Sequence, residues 1–560
     1  MSYTMSRARA ERGARRFFCP VWIRRAGHEH AKRGRGLAEL PFFTGEEGRG
    51  HVLALLFFLS VSVVTVWGTW QGTLPASDEA VLAQIAHEIA TTRDALTMRF
   101  DGVAVHDTPP LGPWLMSVFL LLFGVNEFSA RLVFVILSIV TLYVLYLAGK
   151  AASRDWGASA PGGCPPPAST EKGKRTHWGT LPTAVGFLSA VVLAASPLFG
   201  RFTPHITLGL PFAFCTAVAL LGWLYLPGRR LGLVFWGAGI AGCVLSSGAG
   251  AVLVVLGALL AGIADRARRG LWRSGGFAAA TVLGLLLGGL WLIPETARSS
   301  QGLSENALWA PLIRIFRPSA ATPSGMLDAF INVWLRNLPW SILATVAAVR
   351  VVLFRGDRKC DAFVDDVDGA LLVFAAVIFF PLSLAGAGTL DSFLPVLPIV
   401  SIVAAREAAR WLRRPGRDLA KRVWTLSHVM TALFCLLMLL VLAAPISIRR
   451  TVNDPIKDVA KMAARLTSAG SRIGNFAQPY REQCARMLFY GNRSLEKPLE
   501  TAIEVAGALS GDPRMIFLSS AQNVEALRST RNFPFEIKVL YGSGDLVLFG
   551  AREPGAPDAP

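Results

Sequence analysis

An acidic pair, Asp78-Glu79, follows closely after the first long apolar segment of the chain. The same polar stretch also contains a His-Asp pair, His106-Asp107, and a Pro-Pro pair, Pro109-Pro110. Ionisable groups held beside a membrane are costly, so their presence indicates function. A carboxylate at the start of a helix can act as the general base that takes a proton from a hydroxyl group. The structural alternative is that Ser77 and Asp78 only form the N-terminal cap of a helix over 78–92.

The composition indicates the environment of this stretch. The chain has 560 residues, of which 52% are hydrophobic and 17% are charged, whereas a soluble protein is about a quarter charged. Its repeated long apolar runs predict an α-helical polytopic membrane protein, whose partner is the lipid bilayer.

The charge of the chain is strongly basic, with a formal net charge of +18. The basic residues lie mainly between apolar runs, at Arg229-Arg230, Arg266 to Arg273 and Arg406 to Arg422. This is the positive-inside pattern of a membrane protein. We therefore expect no nucleic-acid partner.

The topology depends on one short segment. We predict that residues 1–50 form a cytoplasmic basic segment and that His51 to Trp70 spans outward. Pro113 to Gly124 has about 12 residues, which is too short to cross a bilayer as a helix, so we interpret it as an interfacial or re-entrant helix on the outer side. The alternative is a short true span, but that would place every later basic loop outside.

The remaining predicted spans alternate and bring the total to about 11. They form a membrane domain over 51–446, with an outer loop over 71–129. Residues 447–560 are predicted to form a small periplasmic α/β domain, so the protein would lie in the cytoplasmic (inner) membrane with its N-terminus in the cytoplasm. After Ala130 to Gly149, the predicted spans cover about 181–200, 208–226, 231–247, 249–264, 277–295, 331–354, 369–388, 393–405 and 424–446. The predicted α/β domain has strands at 487–491, 515–520, 535–542 and 546–550 and helices at 500–509 and 522–527.

The order of these features resembles the polyprenyl-phosphate-dependent GT-C glycosyltransferases of the protein O-mannosyltransferase and aminoarabinose-transferase type. The resemblance is carried by Asp78-Glu79, by Thr108-Pro109-Pro110-Leu111 with Trp114, by Leu122 to Phe128 followed by Arg131-Leu132, and by Phe393 to Pro398. It is strongest over about 50–150 and implies a GT-C-like fold. It also implies a glycosyltransferase that moves a sugar from a polyprenyl-phosphate carrier to a hydroxyl or phosphate of an extracytoplasmic glycan, lipid or protein.

The resemblance also implies roles for particular residues. Asp78 matches the catalytic acid of the family, with Glu79 beside it. Donor phosphate binding is assigned to Arg201, Thr108 and Ser247, and the pocket to His106, Asp107, Pro109, Pro110, His205 and Phe393.

Three positions depart from the family pattern. Thr108 and Ser246-Ser247-Gly248 stand where lysines are expected, and Thr203-Pro204-His205 stands where an Asp is common. Loss of cations would weaken the stabilisation of the transition-state charge. Arg201 is the best substitute cation on the same side, although it could instead be a snorkelling interfacial residue.

These departures leave two alternatives to an active transferase. One is a catalytically weakened relative that acts as a structural or partner-binding membrane protein. The other is a transporter, which the lack of a two-fold hydropathy repeat disfavours. His87, His106 and His205 could form an acid/base or divalent-metal cluster, but their spacing is not diagnostic, so no metal site and no cofactor is predicted.

Overall fold

The structure is a computed structural model and is mostly helical. It describes residues 57, 61, 72–75, 77–106, 108–154, 181–203, 205–226, 229–266, 268–298, 323–353, 362–384, 390–412, 419–443, 455–468, 470–531 and 533–551. The predicted span His51 to Trp70 lies almost entirely outside these residues, as do Asp107 and Pro204.

Within the described residues the helical part contains fourteen helices, α1 to α14, with a two-stranded hairpin after α1. Its elements are α1 (Asp78–Thr92), β1 (Arg99–Phe100), β2 (Val103–Ala104), α2 (Leu111–Phe123), α3 (Glu127–Ala152), α4 (Leu181–Ala194), α5 (Pro197–Phe202), α6 (Gly209–Tyr225), α7 (Leu231–Ser247), α8 (Gly250–Ala264), α9 (Gly275–Arg298), α10 (Pro323–Arg336), α11 (Trp340–Leu353), α12 (Ala362–Leu384), α13 (Leu397–Trp411) and α14 (Leu419–Ala443), with short 3-10 turns at Leu271–Arg273 and Leu390–Val396.

Three helical segments in the described part of the chain are long and apolar enough to cross a membrane. They are Glu127–Ala152, Asp366–Ser383 and Leu390–Trp411. A further set of apolar helices, including α2, has apolar stretches of only 10–17 residues, which is below the length that about 30 Å of hydrocarbon requires of an untilted helix. Length and composition therefore support three crossings in the described residues, or four if two helices joined by a sharp bend count as one span. The total of about 11 spans remains a prediction.

The bent pair corrects one predicted element. A single span was expected over 331–354, but Phe330–Arg336 and Trp340–Leu353 meet at 118°. Pro339 lies at the break, where a proline has no N–H group to continue the helical hydrogen-bond ladder. The pair is therefore a broken span or a re-entrant loop.

The C-terminal part contains a five-stranded sheet with helices between its strands. In sequence it consists of α15 (Ile456–Leu466), β3 (Arg472–Phe476), α16 (Tyr480–Gly491), β4 (Ser494–Leu499), α17 (Ala502–Gly511), β5 (Phe517–Ser520), α18 (Ala521–Ser529), β6 (Ile537–Ser543) and β7 (Leu546–Ala551). The strand order is β4-β3-β5-β7-β6, in which β3 is parallel to both its neighbours and β7 antiparallel to both of its own.

One predicted strand in this part was wrong. Residues 487–491 form the last part of α16 instead. Met487, Leu488 and Phe489 are all buried, so a short apolar run without polar alternation suited either a strand or a buried helix. The strands at 472–476 and 494–499 were missed, because their sequences RIGNF and SLEKPL contain few of the residues that favour strands.

Several helix N-termini meet at one end of the helical part. A Cβ atom added at Gly112 in α2 would lie 3.7 Å from Leu208 and 4.0 Å from Phe134 of α3. A Cβ atom at Gly209, the first residue of α6, would lie 2.0 Å from the backbone oxygen of Asp391. The starts of α2 and α6 therefore lie beside the 3-10 turn Leu390–Val396.

Candidate active site

The acidic pair lies in the first turn of α1, and its two members differ sharply in environment. The side chain of Ser77 caps the helix by accepting a hydrogen bond from the backbone N–H of Glu79 at 3.4 Å. Asp78 is exposed and forms no hydrogen bond or ion pair with another described residue. Glu79 is 5% exposed. Because Ser77 already supplies the cap, the carboxylate of Asp78 is not needed for it.

Glu79 is fixed by Arg131 of α3. Arg131 Nε donates to Glu79 Oε1 at 2.7 Å, and both side chains are buried. The other two guanidinium nitrogens donate to the carbonyl oxygens of Gly72 at 2.9 Å and Thr73 at 3.2 Å. A buried charge needs a paired and hydrogen-bonded partner, and this arrangement supplies one to both residues.

His205 lies on the other oxygen of the same carboxylate. Its Nδ1 is 3.2 Å from Glu79 Oε2, and its side chain is 51% exposed. Glu79 therefore connects a buried arginine with a histidine that solvent reaches. His205 was predicted as a pocket residue, and the structure brings it to the acidic pair.

The C-terminal part supports the segment that precedes α1. The hydroxyl of Tyr490 in α16 accepts a hydrogen bond from the backbone N–H of Leu74 at 2.7 Å. Lys457 of α15 donates to Glu127 at 2.6 Å and lies 5.5 Å from the centre of the Tyr490 ring. Burial is the main cause that raises the pKa of Tyr490, so its hydroxyl keeps its proton. Leu74 follows directly on Thr73, so this contact fixes the loop segment that holds Arg131.

The hairpin after α1 carries His106 beside a shallow cavity. Glu88 of α1 accepts hydrogen bonds from the backbone N–H groups of Asp101 at 2.7 Å and Gly102 at 3.1 Å. Both turn residues have positive φ, at 54° and 75°, which suits a tight hairpin turn. The cavity has a volume of about 380 Å³ and is lined by Asp94, Leu96, Thr97, Arg99, Ala104 and His106.

The predicted phosphate-binding residues differ in accessibility. Thr108 is buried, as are Pro109 and Pro110 behind it. Ser247 is half-buried at the end of α7, and a Cβ atom on Gly250 would meet both its hydroxyl at 2.4 Å and the ring of Phe212 at 2.8 Å. Ser247 therefore lies beside the first turns of α6.

Arg201 is the exposed cation of this group. It lies in the last turn of α5, where its guanidinium is 5.8 Å from the centre of the Phe202 ring. It forms no ion pair with a described residue. An unpaired, exposed guanidinium remains available to an anion from outside the chain.

Asp391 was not predicted as a site residue, although the structure places it beside the start of α6. Its Oδ2 accepts a very short hydrogen bond from the hydroxyl of Thr207, and that hydroxyl accepts one from the N–H of Gly209 at 3.2 Å. Phe393, a predicted pocket residue, is 2% exposed in the same turn.

The three histidines considered as a cluster occupy different places. His205 contacts Glu79, His106 lines the cavity of the hairpin, and His87 stacks edge-on against Phe489 with 6.0 Å between ring centres. Over the residues that the structure describes, no group of three or more His, Cys, Asp or Glu side chains has the geometry to hold a metal ion.

Two comparisons bear on this arrangement. Residues 107–160 match the sequence model of the family described as Dolichyl-phosphate-mannose-protein mannosyltransferase. The fold matches a crystal structure of ArnT from Cupriavidus metallidurans bound to undecaprenyl phosphate, with a TM-score of 0.62 at 15% identity over 90% of this chain and 98% of that one. This chain has the ArnT fold.

One further structure agrees with that fold, and one curated relative is similar in sequence. The same ArnT in its apo state gives a TM-score of 0.61 at 16% identity, covering 89% of this chain and 97% of that one. A curated protein of Aquifex aeolicus (strain VF5), described as uncharacterized, is 24% identical over 241 residues. That alignment spans 43% of this chain and only 41% of the relative. The predicted resemblance to GT-C glycosyltransferases is therefore confirmed by the ArnT fold and by the match over 107–160.

Sequence reasoning missed Arg131 and Tyr490 as parts of the candidate active site. Arg131 follows the motif Leu122 to Phe128, and a signal for its role was present, because a lone arginine in an apolar helix requires a buried partner. Tyr490 gave no such signal, since its contact with Leu74 joins positions 416 residues apart.

Proposed function

We propose that this protein is a membrane glycosyltransferase that moves a sugar from a polyprenyl-phosphate carrier to an acceptor outside the cytoplasm. The observation that carries the proposal is the acidic pair: Asp78 is exposed and unpaired among the described residues, while Glu79 beside it is fixed by Arg131 and faces His205. The ArnT fold, which in one crystal structure holds undecaprenyl phosphate, supports the choice of carrier.

In the proposed reaction, Asp78 is the general base. It takes the proton of the acceptor hydroxyl as that oxygen forms a bond to the anomeric carbon of the sugar. The bond between that carbon and the phosphate oxygen breaks, and the polyprenyl phosphate leaves with the electron pair. In this proposal Arg201, which is exposed, neutralises the charge on the phosphate. Glu79 positions the first turn of α1 and thereby the carboxylate of Asp78.

The distribution of basic residues supports the orientation. α3 is about 39 Å long, at 1.5 Å for each of its 26 residues, and its two ends have different surroundings. Its C-terminal residue Ala152 accepts a hydrogen bond from Arg406. At that same end Arg154 and Arg229 both lie over the Tyr225 ring, at 5.0 and 5.5 Å from its centre. By the positive-inside rule this end faces the cytoplasm, so Asp78 faces the opposite, extracytoplasmic side.

We further propose the inner membrane as the location and a small extracytoplasmic α/β domain formed by the C-terminal sheet. The contacts of α15 and α16 with Glu127 and Leu74 place that sheet at the same end as the acidic pair. It lies where an acceptor would approach.

The test is turnover by the purified full chain in lipid nanodiscs. Carriers with a hexose, a deoxyhexose or a pentose on polyprenyl phosphate are supplied, and release of polyprenyl phosphate is measured with and without hydroxyl acceptors. Asp78→Asn is expected to lower the rate by at least 100-fold, since general base catalysis contributes about 10²–10⁴-fold. Asp458→Asn is the matched control, because Asp458 is also an exposed acid in the first turn of a helix.

The outcomes separate the alternatives. Turnover that survives Asp78→Asn would remove the base assignment. Binding of the carrier without turnover of any sugar would favour a weakened relative, for which the burial of Thr108 in place of a lysine is the supporting observation. Uptake of a solute into vesicles would favour a transporter.

A further inference from the structure

The turn Leu390–Val396 presents a carboxylate oxygen that the described chain leaves unsatisfied. Asp391 Oδ1 is shielded from solvent and has no hydrogen-bond partner, whereas Oδ2 accepts from the Thr207 hydroxyl. Nor does a described Lys, Arg or His side chain pair with Asp391. Burying such a polar atom without a partner costs a few kcal/mol, so buried polar groups in native proteins are nearly always hydrogen-bonded.

The surrounding structure holds this carboxylate in one position. Thr207 is fixed in turn, since its hydroxyl accepts from the backbone N–H of Gly209. The close approach of Gly209 to the Asp391 backbone, where a Cβ atom would lie 2.0 Å from the carbonyl oxygen, leaves no room for the turn to shift. The start of α6 has no side-chain cap, and its partial positive charge favours a carboxylate there.

The position of Asp391 relates it to the acidic pair. Thr207 is two residues from His205, which contacts Glu79 at 3.2 Å. The start of α2 also lies here, since a Cβ atom on Gly112 would contact Leu208. Asp391 therefore packs against the same short segment, 205–209, that carries the histidine of the candidate active site.

We propose that Asp391 is a sugar-binding residue, whose Oδ1 accepts a hydrogen bond from a hydroxyl group of the carrier-linked sugar. This rests on the proposed function and deepens it, because it names the group that holds the sugar apart from its phosphate. A hydroxyl donor matches the site, since a carboxylate oxygen only accepts and no donor of the described chain bonds to this one. Thr207 is the positioning residue, which orients the carboxylate through Oδ2.

The test compares two ligands that differ only in the sugar. Binding of polyprenyl phosphate and of the same carrier bearing a sugar is measured in nanodiscs by thermal stabilisation, together with the donor KM and kcat. Asp391→Asn is expected to raise the donor KM by about ten- to a hundredfold, the loss that one hydrogen bond to a charged group brings. The stabilisation by sugar-free polyprenyl phosphate should not change.

Thr207→Val and Asp458→Asn serve as the paired controls. Thr207→Val keeps the carboxylate and is expected to raise the donor KM less than Asp391→Asn does. Asp458→Asn should behave as wild type. Suppose that the melting temperature falls equally in Thr207→Val and Asp391→Asn and that the donor KM changes in neither. The hydrogen bond between these two residues would then only stabilise the turn, and the proposal would be overturned.

The remaining outcomes distinguish the two proposals. Wild-type turnover with an unchanged donor KM in Asp391→Asn would overturn the sugar contact and leave the transferase standing. If no carrier is turned over, the transferase fails, and the sugar contact is still decided by binding. It stands if sugar-bearing carriers stabilise the wild type more than bare polyprenyl phosphate and Asp391→Asn abolishes that difference; it falls if no difference exists.

Discussion

Glu79 and Arg131 form a buried ion pair of 2.7 Å that joins α1 to α3 across 52 positions of sequence. The pair does more than link two helices. Through Arg131 it also holds the carbonyl groups of Gly72 and Thr73, and through Glu79 it reaches His205. The segment before α1, the first turn of α1 and the loop before α6 are thus fixed by one guanidinium and one carboxylate.

Breaking this pair from one side should destabilise the protein. Glu79→Gln leaves the Arg131 charge buried without its counter-ion, which costs about 3–5 kcal/mol. Thermal and denaturant unfolding of the detergent-solubilised protein measures the loss of stability. The control is Glu525→Gln, which removes an exposed pair of 3.9 Å with Arg528 and should change stability by less than about 1 kcal/mol. Additive losses in Glu79→Gln and Arg131→Met, without coupling in the double variant, would contradict the buried pair.

Tyr490→Phe tests the link from the C-terminal sheet to the site. Removing the hydroxyl leaves the N–H of Leu74 without its acceptor, at a cost of about 1–3 kcal/mol. Because the change acts on the loop segment that holds Arg131, we expect kcat to fall several-fold with little change in the donor KM. Tyr541→Phe in β6 is the control, since Tyr541 is likewise partly buried. A fall in melting temperature at unchanged kcat would show that Tyr490 serves stability alone.

Stability should depend on pH through His87. Burial is the main cause that lowers the pKa of His87, and Glu88 opposes it by raising the pKa to a lesser extent. The unfolded chain therefore binds a proton below about pH 6.5 more readily than the folded chain does. The stabilisation is fully present above that pH and is lost as the pH falls below it. Melting temperatures measured from pH 8 to pH 5 give the pH dependence of stability, and His87→Phe should reduce that dependence. An unchanged pH dependence in this variant would exclude His87 as its source.

Gly209→Ala tests the close approach of α6 to the turn that carries Asp391. The added methyl group would lie 2.0 Å from the Asp391 carbonyl oxygen, so the backbone must move, at a cost of about 1–3 kcal/mol. Gly200→Ala is the matched control, because a Cβ atom on Gly200 meets nothing within 4 Å. Unfolding curves of both variants should differ clearly, and equal curves would refute the contact.

Arg201→Gln tests the cation assigned to the donor phosphate. Loss of one charge-assisted hydrogen bond to phosphate should raise the Kd for bare polyprenyl phosphate by about tenfold or more. Arg465→Gln, which removes an exposed arginine from α15, is the control. An unchanged Kd in Arg201→Gln would identify Arg201 as an interfacial residue without a role in binding.

The local features of the site were largely predictable from sequence. Ser77 before Asp78-Glu79 predicted the start of α1, and the structure has a helix over Asp78–Thr92. The short apolar run near Pro113 predicted a helix too short to cross the bilayer, and α2 has 13 residues. Both predictions depend on a few neighbouring residues, which is the range over which capping and apolar length act.

The partners of the site residues were not predictable in the same way. The sequence suggested two similar carboxylates at Asp78 and Glu79, yet one is exposed and the other is 5% exposed against Arg131. The broken helix at Asn337 to Pro339 and the helix over Tyr480–Gly491 were also mispredicted. In each case packing against distant elements decided the outcome.

The sequence by itself determined that the chain is a helical protein with long apolar segments, that its basic residues gather between them, and that an acidic pair begins a helix near the first of these. Composition and short-range spacing are enough for such conclusions, because apolar length and helix capping are local properties. Only the tertiary structure decided which carboxylate is exposed, that Arg131 holds the other, and that Asp391 lies beside Thr207. Those relationships join residues 52 and 184 positions apart, and only the packing of whole helices brings such positions together.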